Sequence, residues 1–211
     1  MRLLLLSVSL VLNFPATAFA ECDCIWGGPF TEVQGGADIV IAGTVISAKG
    51  NSVDLTVDQL MRGVEYLPEI RVWMNPGQLC RPESEEFPMG SQWVMALHRV
   101  ERLAPGDFNP RTPNRSAGRV GDYSLSSCGG YWLSLSGNLV TGNLAGGGRW
   151  QRDPPMSPVL LELVTAFTEG SVDAATLRQA STIDPELQRL QLETRVLLRR
   201  QNRRSELEQA Q

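Results

Sequence analysis

The residues with the clearest chemistry are four cysteines, at positions 22, 24, 80 and 128 of the 211-residue chain. An even number of cysteines pairs into disulfides in an oxidising compartment. Cys22 and Cys24 are too close in the chain to pair comfortably with each other, so each is predicted to reach one of the two distant cysteines. A four-thiolate zinc site is the competing interpretation. It is disfavoured because structural zinc sites usually use Cys-x-x-Cys pairs, whereas Cys80 and Cys128 stand alone.

Catalytic chemistry has little support in the sequence. His98 is the single histidine, and in a predicted strand a structural role is the better interpretation. The sequence has neither a Gly-x-Ser-x-Gly nor a His-Glu-x-x-His motif. Glu83, Glu85 and Glu86 are predicted to lie in a solvated loop, and the Gly146-Gly147-Gly148 run lacks the lysine of a phosphate-binding loop. We therefore expect a protein that is not an enzyme and that uses no cofactor and no metal.

A long segment without apolar periodicity, residues 103–122, is the candidate recognition surface. It contains Phe108, Arg111, Arg115 and Arg119 among prolines, glycines and polar residues. Long irregular loops in compact domains are usually functional or disordered, and aromatic and arginine side chains are enriched at binding hot spots. These four side chains are therefore candidate binding residues. The alternative left open is a loop that simply packs on its own domain.

The first 20 residues have the organisation of a secretory signal peptide. Arg2 supplies the positive charge, residues 3–12 are mostly apolar, and Ala18 and Ala20 form an Ala-x-Ala cleavage site. Cleavage after Ala20 makes Glu21 the first residue of the mature chain. Because the apolar run is too short for a membrane-spanning helix, a removed signal is favoured over a retained anchor. We therefore predict a secreted or periplasmic protein with no integral membrane span after signal removal.

Composition narrows the class of partner. The chain carries 19 basic and 23 acidic residues, a formal net charge of −4, and Lys49 as its single lysine. Nucleic-acid binding needs a basic face that neutralises phosphates, so this balance argues against it. The predicted partner is another exported protein, and the oligomeric state is left open.

The middle of the chain has the alternating apolar pattern of β-strands. The runs with this pattern are residues 38–48, 52–61, 69–74, 92–100, 123–126 and 131–135. Short turns at residues 49–51 and 137–138 are predicted to join neighbouring strands into hairpins. The first run is apolar on both faces at its start, which is typical of a strand packed on two sides. The pattern predicts a mainly β (α+β) domain built on a small antiparallel barrel or sandwich of five to seven strands.

Three helices are predicted after residue 156. The first has Ser157 as its cap and Pro158 in its first turn, and it ends at Gly170. The second covers residues 172–179, and the third begins at residue 184 with a loose leucine stripe among six basic and five acidic residues. This last segment is either a solvated tail or a contact surface for a coiled coil or a membrane. The predicted division is a signal peptide at 1–20, a barrel with its packed helix at 21–170, and an appended helical segment at 171–211.

Several features occur together in one order along the chain. A Cys22-Asp23-Cys24 motif follows the signal peptide, a strand follows at residues 37–45, and the central Cys80 and a Tyr123-x-x-x-x-Cys128 ending come later. This order resembles the netrin-like domain shared by tissue inhibitors of metalloproteinases, over residues 22–135. The resemblance implies a five-stranded oligonucleotide/oligosaccharide-binding (OB) barrel flanked by C-terminal helices. It also implies the disulfide pairs Cys22–Cys80 and Cys24–Cys128.

The resemblance further implies an exported binding module that recognises another exported protein, for example a protease. In that family the leading cysteine is the mature N-terminus, and its amino group and carbonyl chelate the protease zinc. Here Glu21 precedes Cys22, so the Cys22 nitrogen is an amide whose lone pair is committed to peptide resonance. Asp23 adds a charge at the position that enters the protease pocket, where burial without a partner is costly.

We therefore take Glu21 and Asp23 as candidate binding positions and predict no inhibition by N-terminal chelation. Any binding would then use the barrel face or the loop at residues 103–122. The alternative function is a structural or envelope-associated domain that contacts its partners through the C-terminal amphipathic helix.

Overall fold

The computed structural model describes residues 23–77, 79–103, 105–108, 110–146, 151 and 153–209. The predicted signal peptide, Glu21 and Cys22 lie outside these residues. The strands are β1 Ile39–Lys49, β2 Ser52–Arg62, β3 Glu69–Trp73, β4 Gln92–Arg99, β5 Tyr123–Ser124, β6 Trp132–Ser136, β7 Leu139–Thr141 and β8 Val159–Leu160. The helices are α1 Phe30–Val33, α2 Leu161–Thr168, α3 Ala174–Ser181 and α4 Pro185–Gln209, with 3-10 turns at Gln34–Gly36 and Ser84–Glu86.

The first five strands close into a barrel, which confirms the predicted fold class. They pair in the order β1-β2-β3-β5-β4, and β4 returns to β1 to complete the circle. Four of these pairings are antiparallel, and the pairing of β3 with β5 is parallel. Because β4 runs antiparallel to β1 and β5 runs antiparallel to β4, β5 has the same direction as β1. β3 also has that direction, so β3 and β5 pair in parallel. The structure is therefore an OB-like mixed barrel with additional strands and flanking C-terminal helices.

The strand β1 has apolar residues on both faces because it separates two hydrophobic clusters. Ile39, Ile41 and Val45 point into the barrel, and Val40 and Ala42 point outward, and all five are buried. The barrel cluster consists of Ile39, Ile41, Val45, Val53, Leu55, Ile70, Val72, Met74, Phe87, Met95, Leu97, Tyr123 and Leu125. The sequence pattern of a strand packed on two sides is thus explained by its place between two cores.

The outer cluster is covered by the extra strands and the helices. β6 pairs with β4, and β7 and β8 extend the sheet beyond it. Leu133, Leu135 and Val140 from these strands pack with Val164 of α2 and Leu177 of α3. The predicted division at residue 170 falls between α2 and α3, whereas Leu177 is fully buried. The packed unit therefore extends through α3.

The first predicted helix begins later than the sequence suggests. Val159 pairs with Val140 of β7, so residues 159–160 form β8 and α2 begins at Leu161. Ser157 does not cap the helix, and its hydroxyl instead donates to the Thr182 carbonyl at 3.0 Å. The apolar pattern of residues 159–160 fits a helix or a strand. These residues form a strand because they pair with the free edge of β7.

Helix α3 is capped by a residue next to it in the chain, because the Asp173 carboxylate accepts a hydrogen bond from the Thr176 amide at 2.8 Å.

The C-terminal helix α4 leaves five apolar side chains exposed among those that the structure describes. Each of these side chains is between 47 and 59% exposed: Leu190, Leu192, Val196, Leu197 and Leu198. Arg189 and Glu193 form an ion pair one turn apart at 2.9 Å. Within the part of the chain that the structure describes, no helix is both long enough and apolar enough to cross a membrane.

Candidate functional site

The loop that connects β2 to β3, residues 63–68, turns away from the barrel at Gly63. This glycine has φ +90°, and a Cβ atom at this position would lie 2.3 Å from the Asp38 carbonyl oxygen. Only glycine combines the left-handed backbone with so close an approach to the residue that precedes β1. We call residues 63–68 the Tyr66 loop.

Glu65 holds the Tyr66 loop from the inside. Its side chain is only 6% exposed. One carboxylate oxygen accepts the backbone N–H groups of Tyr66 and Leu67, at 2.8 and 3.0 Å. The other accepts the Tyr123 hydroxyl and the Arg99 guanidinium, the latter at 3.3 Å. A buried carboxylate with four donors is well satisfied, so it can fix the backbone of the loop.

The hydrogen-bond donors and the positive charge around Glu65 favour its ionised form. Burial alone would raise the pKa of Glu65, but hydrogen bonds from Tyr123 and the two amides, together with the Arg99 charge, hold that pKa below its ordinary value of 4.5. The Arg99 guanidinium lies 4.7 Å from the centre of the Tyr123 ring. Burial and the adjacent Glu65 carboxylate raise the pKa of Tyr123 well above its ordinary value. At neutral pH the Tyr123 hydroxyl therefore donates to the Glu65 carboxylate, while it accepts a hydrogen bond from Arg99.

While Glu65 points inward, its neighbours point into solvent. Tyr66 is 91% exposed, Leu67 61% and Val64 60%. Single exposed apolar side chains are common on protein surfaces. Here, however, three of them share a loop tip whose backbone is fixed by a buried carboxylate. The arrangement presents a rigid aromatic and aliphatic surface.

A cavity of about 290 Å³ adjoins this surface between β2, β3 and the segment that precedes β5. Its lining residues are Asp54, Leu67, Glu69, Ile70, Arg71, Arg119, Gly121, Asp122 and Tyr123. Arg71 binds Asp54 through two parallel hydrogen bonds of 2.7 and 3.0 Å. This bidentate contact holds the pKa of Asp54 below its ordinary value of 3.8, although partial burial acts in the opposite direction. The cavity thus places charged groups directly beside the apolar loop tip.

Comparison of the chain with protein-family models, curated proteins and solved structures finds no match.

The candidate residues of the long loop are spread over the surface. Phe108 is 41% exposed, and Arg111, Arg115 and Arg119 are exposed as well. Of these four, only Arg119 lines the cavity beside the Tyr66 loop. The predicted recognition loop therefore contributes one arginine to the candidate site.

The base of the long loop is packed on the barrel through the β1–β2 turn. The buried Asn51 amide donates to the carbonyls of Met74 and Ser116, at 3.0 and 2.8 Å. Its side-chain oxygen accepts the Ser116 amide at 2.9 Å. Arg81 donates to the Ala117 carbonyl at 2.6 Å. These contacts favour the alternative in which much of the loop packs on its own domain.

The N-terminal segment is tied to the barrel by a disulfide. Cys24 and Cys128, one of the two predicted pairs, are joined with a Cα–Cα distance of 5.9 Å. Cys80 is also disulfide-bonded. Its predicted partner, Cys22, lies outside the described residues, as does Glu21, while Asp23 is exposed. The sulfur atoms of Cys24, Cys80 and Cys128 lie within 4.8 Å of one another, but disulfide sulfurs are not the thiolates that zinc requires.

The remaining titratable candidates have structural contacts. The His98 ring packs edge-on against Tyr131, with 5.4 Å between ring centres. Glu83 forms a reciprocal capping box with Glu86 at the second 3-10 turn and accepts a hydrogen bond from Asn75 at 2.8 Å. Gly146 is exposed, and Gly147 and Gly148 lie outside the described residues.

The apolar pattern of the sequence did not predict the Tyr66 loop as a binding surface. The sequence feature that could have indicated it is the Tyr-Leu pair between Gly63 and Pro68. These apolar residues lie among turn residues and outside any strand pattern. The contact that makes the loop rigid joins Glu65 to Tyr123, which are distant in the sequence. No local pattern predicts that contact.

Proposed function

We propose that the protein is an exported binding module that recognises another exported protein through the Tyr66 loop. The observation that carries the proposal is the 91% exposed Tyr66 on a backbone fixed by the buried Glu65. Tyrosine and arginine dominate binding hot spots, and a preorganised loop loses little conformational entropy on binding. Arg71 and Arg119 lie beside the loop and supply charged contacts around the apolar centre.

The position of the loop on the barrel supports the same proposal. OB-type barrels commonly bind their ligands on the face of strands 2 and 3. Asp54 of β2 and Arg71 of β3 lie on that face, next to the loop that connects the two strands. The comparison with OB-type barrels concerns the fold alone. The contacts with a partner would come from the side chains of this surface.

The experiment is site-specific photo-crosslinking in the export compartment of the source organism. A photo-reactive amino acid replaces Tyr66, Phe108 or Leu198 in three separate variants. These positions represent the Tyr66 loop, the long loop and α4. We expect one defined adduct from position 66 and none from position 108. An adduct from position 108 or 198 alone would refute the proposed surface.

The captured partner is then purified and titrated against variants of this protein. Tyr66→Ala is expected to weaken binding by at least about tenfold, the usual effect of truncating a hot-spot aromatic. Val120→Ser is the matched control, because Val120 is 59% exposed but does not belong to the loop or line its cavity. Equal affinity of the Tyr66→Ala variant and the parent protein would contradict the proposal.

The netrin-like resemblance, the signal peptide and the Cys22–Cys80 bridge remain predictions within this proposal. If the partner is a zinc protease, binding through the Tyr66 loop does not require a free amino group on Cys22. Sequencing of the mature N-terminus and titration against zinc proteases test this point. A chain that begins at Cys22 and inhibits such proteases in a zinc-dependent manner would show N-terminal chelation instead.

A second candidate function is contact through α4, as a structural or envelope-associated domain would make it. The observation in its favour is that five apolar side chains of this helix are each about half exposed. In the crosslinking experiment this function predicts an adduct from position 198. Deletion of residues 184–211 would then abolish capture, whereas it leaves a barrel-based interaction intact.

A further inference from the structure

A second and larger cavity lies on the opposite side of β4 from β1. Its volume is about 790 Å³, which is within the size range of ligand sites. It is bounded by β4, β6 and β7, by the second 3-10 turn, and by the segment that leads to β8. We call it the Trp93–Trp132 groove, and none of its lining residues belongs to the Tyr66 loop or its cavity.

The floor of the groove is a row of side chains across three strands. Trp93 of β4 is directly opposite Ser134 of β6, and Ser134 is directly opposite Thr141 of β7. Directly paired residues share one face of a sheet, and Trp132 lies on the same face because it is two residues before Ser134. Since neighbouring strands are about 4.8 Å apart, the row is about 10 Å long, which matches two pyranose units.

The two indole rings are held in place from below. Phe87 is fully buried and packs edge-on against both of them, with ring centres 5.0 Å from Trp93 and 5.9 Å from Trp132. The Trp93 indole N–H donates to the Ser91 hydroxyl at 2.6 Å. Both tryptophans remain half-buried at the cavity surface. They form fixed aromatic platforms that require little ordering when a ligand binds.

The rest of the lining combines four polar side chains with an apolar wall of Gly142, Pro154, Pro155 and Met156. The Ser134 and Thr141 hydroxyls each donate and accept, and the carboxylates of Glu86 and Asp153 accept only. Asp153 is exposed, and Glu86 is half-buried and accepts the Glu83 amide at 3.3 Å. A ligand that suits this lining has a flat apolar face for the indoles and many hydroxyl donors at its edges.

We propose that the Trp93–Trp132 groove binds an oligosaccharide chain. A pyranose ring has an apolar face of C–H groups and a rim of hydroxyls, which matches aromatic platforms bordered by hydroxyls and carboxylates. A proline-rich peptide would also stack on the aromatic rings. Its carbonyls, however, offer only acceptors, and carboxylates cannot pair with acceptors. The groove therefore favours a saccharide over that peptide class.

The test uses the full protein with its disulfides intact and an array of immobilised oligosaccharides. The array contains β-1,4-glucan, α-1,4-glucan, chitin and peptidoglycan glycan fragments. We expect binding to at least one class and a saturable change in tryptophan fluorescence when the soluble fragment is added. No binding to any member of the array, or binding only to basic or proline-rich peptides, overturns the proposal.

Variants separate the groove from the rest of the surface. Thr141→Val and Asp153→Asn each remove polar contacts without truncating the aromatic floor, and each is expected to weaken binding by about tenfold. Ser136→Ala is the matched control, because Ser136 is exposed on β6 and does not line the groove. Trp132→Ala is expected to abolish binding while unfolding stays cooperative. Unchanged affinity in Thr141→Val and Asp153→Asn would place the saccharide elsewhere and refute the site.

Discussion

The carboxylate of Glu65 determines the conformation of the Tyr66 loop. A buried carboxylate without partners would cost several kcal/mol, and here two amides, a hydroxyl and a guanidinium satisfy it. The same contacts orient Tyr66 and Leu67 toward solvent. Glu65 therefore shapes the proposed binding surface without contacting a partner directly. Its effect can be measured as a change in the free energy of unfolding.

Tyr123→Phe is predicted to destabilise the protein. The change removes the hydroxyl that donates to Glu65 and leaves a buried carboxylate oxygen with one donor fewer. We expect the free energy of unfolding to fall by about 1–3 kcal/mol. Urea denaturation followed by tryptophan fluorescence measures the change. Tyr66→Phe is the control, because its ring is 91% exposed, and a loss of equal size there would argue against the Glu65 contact as the cause.

Stability is predicted to fall in acid through Glu65 and Asp54. Both carboxylates have a pKa below their ordinary values of 4.5 and 3.8 in the folded chain, so the unfolded chain binds protons first. Their stabilising contribution is complete above these ordinary values and is lost as the pH falls through the lower folded values. Urea denaturation at a series of acidic pH values measures this dependence. The Glu65→Gln variant should show a smaller dependence than the parent, and an identical dependence would contradict the assignment.

At the scale of elements, the chain ends its strands where backbone contacts force a turn. β2 ends immediately before Gly63. A Cβ atom at this position would lie 2.3 Å from the Asp38 carbonyl oxygen. β8 forms because β7 offers a free edge, and α2 begins only after that edge is paired. These boundaries depend on which elements lie side by side.

Gly63→Ala is predicted to be more destabilising than Gly137→Ala. Both glycines have positive φ, but a Cβ at Gly63 meets the Asp38 carbonyl at 2.3 Å, whereas Gly137 faces open space. We expect a loss of about 1 kcal/mol at Gly137 from backbone strain alone, and about 2 kcal/mol or more at Gly63. Thermal and urea denaturation compare the two variants. Equal losses would show that the close approach is not important.

A chain that ends at Ile183 is predicted to keep its cooperative fold. The leucines of α4 whose side chains the structure describes are about half exposed, so removal of this helix is expected to take little apolar surface from the core. A chain that ends at Gly170 is the contrasting variant, because it also removes the fully buried Leu177 of α3. We expect about 2 kcal/mol or more to be lost in that case. If the chain ending at Ile183 loses cooperative unfolding, α4 belongs to the core.

For the molecule as a whole, the Cys24–Cys128 disulfide ties the N-terminal segment to the region after β5. The bonded residues are 104 positions apart, so the bridge restricts most of the barrel in the unfolded state. The Gly27 amide also donates to the Cys128 carbonyl at 2.7 Å, which continues the contact beyond the bridge. The disulfide is therefore expected to contribute at the scale of the entire fold.

Replacement of both cysteines, Cys24→Ala with Cys128→Ala, is predicted to lower the free energy of unfolding by about 4–5 kcal/mol. The value follows from the loop-closure entropy of a loop of this length. Urea denaturation of the variant and the parent measures the difference. The reduced parent protein, in which Cys80 also loses its disulfide, should lose at least as much. A variant as stable as the oxidised parent would show that the bridge does not constrain the unfolded chain.

The sequence by itself determined the local elements of this protein. Apolar patterning predicted all of the long strands to within one or two residues. Most of them alternate because one face is buried, and β1 begins with apolar residues on both faces because it packs on two sides. Glycine and asparagine in the turns predicted the two hairpins. Pro185 and the leucine stripe predicted α4, and the helix predicted at residues 172–179 lies within two residues of α3. These features depend on residues that are near each other in the chain.

Only the tertiary structure decided how the elements meet. The parallel pairing of β3 with β5, the strand state of Val159, the buried Glu65–Tyr123 contact and the row from Trp93 to Thr141 all join residues that are distant in the sequence. Local periodicity shows which side of a strand is apolar but not which strand pairs with it. Both proposed binding surfaces follow from such pairings, because each brings together side chains from separate elements around a rigid aromatic group.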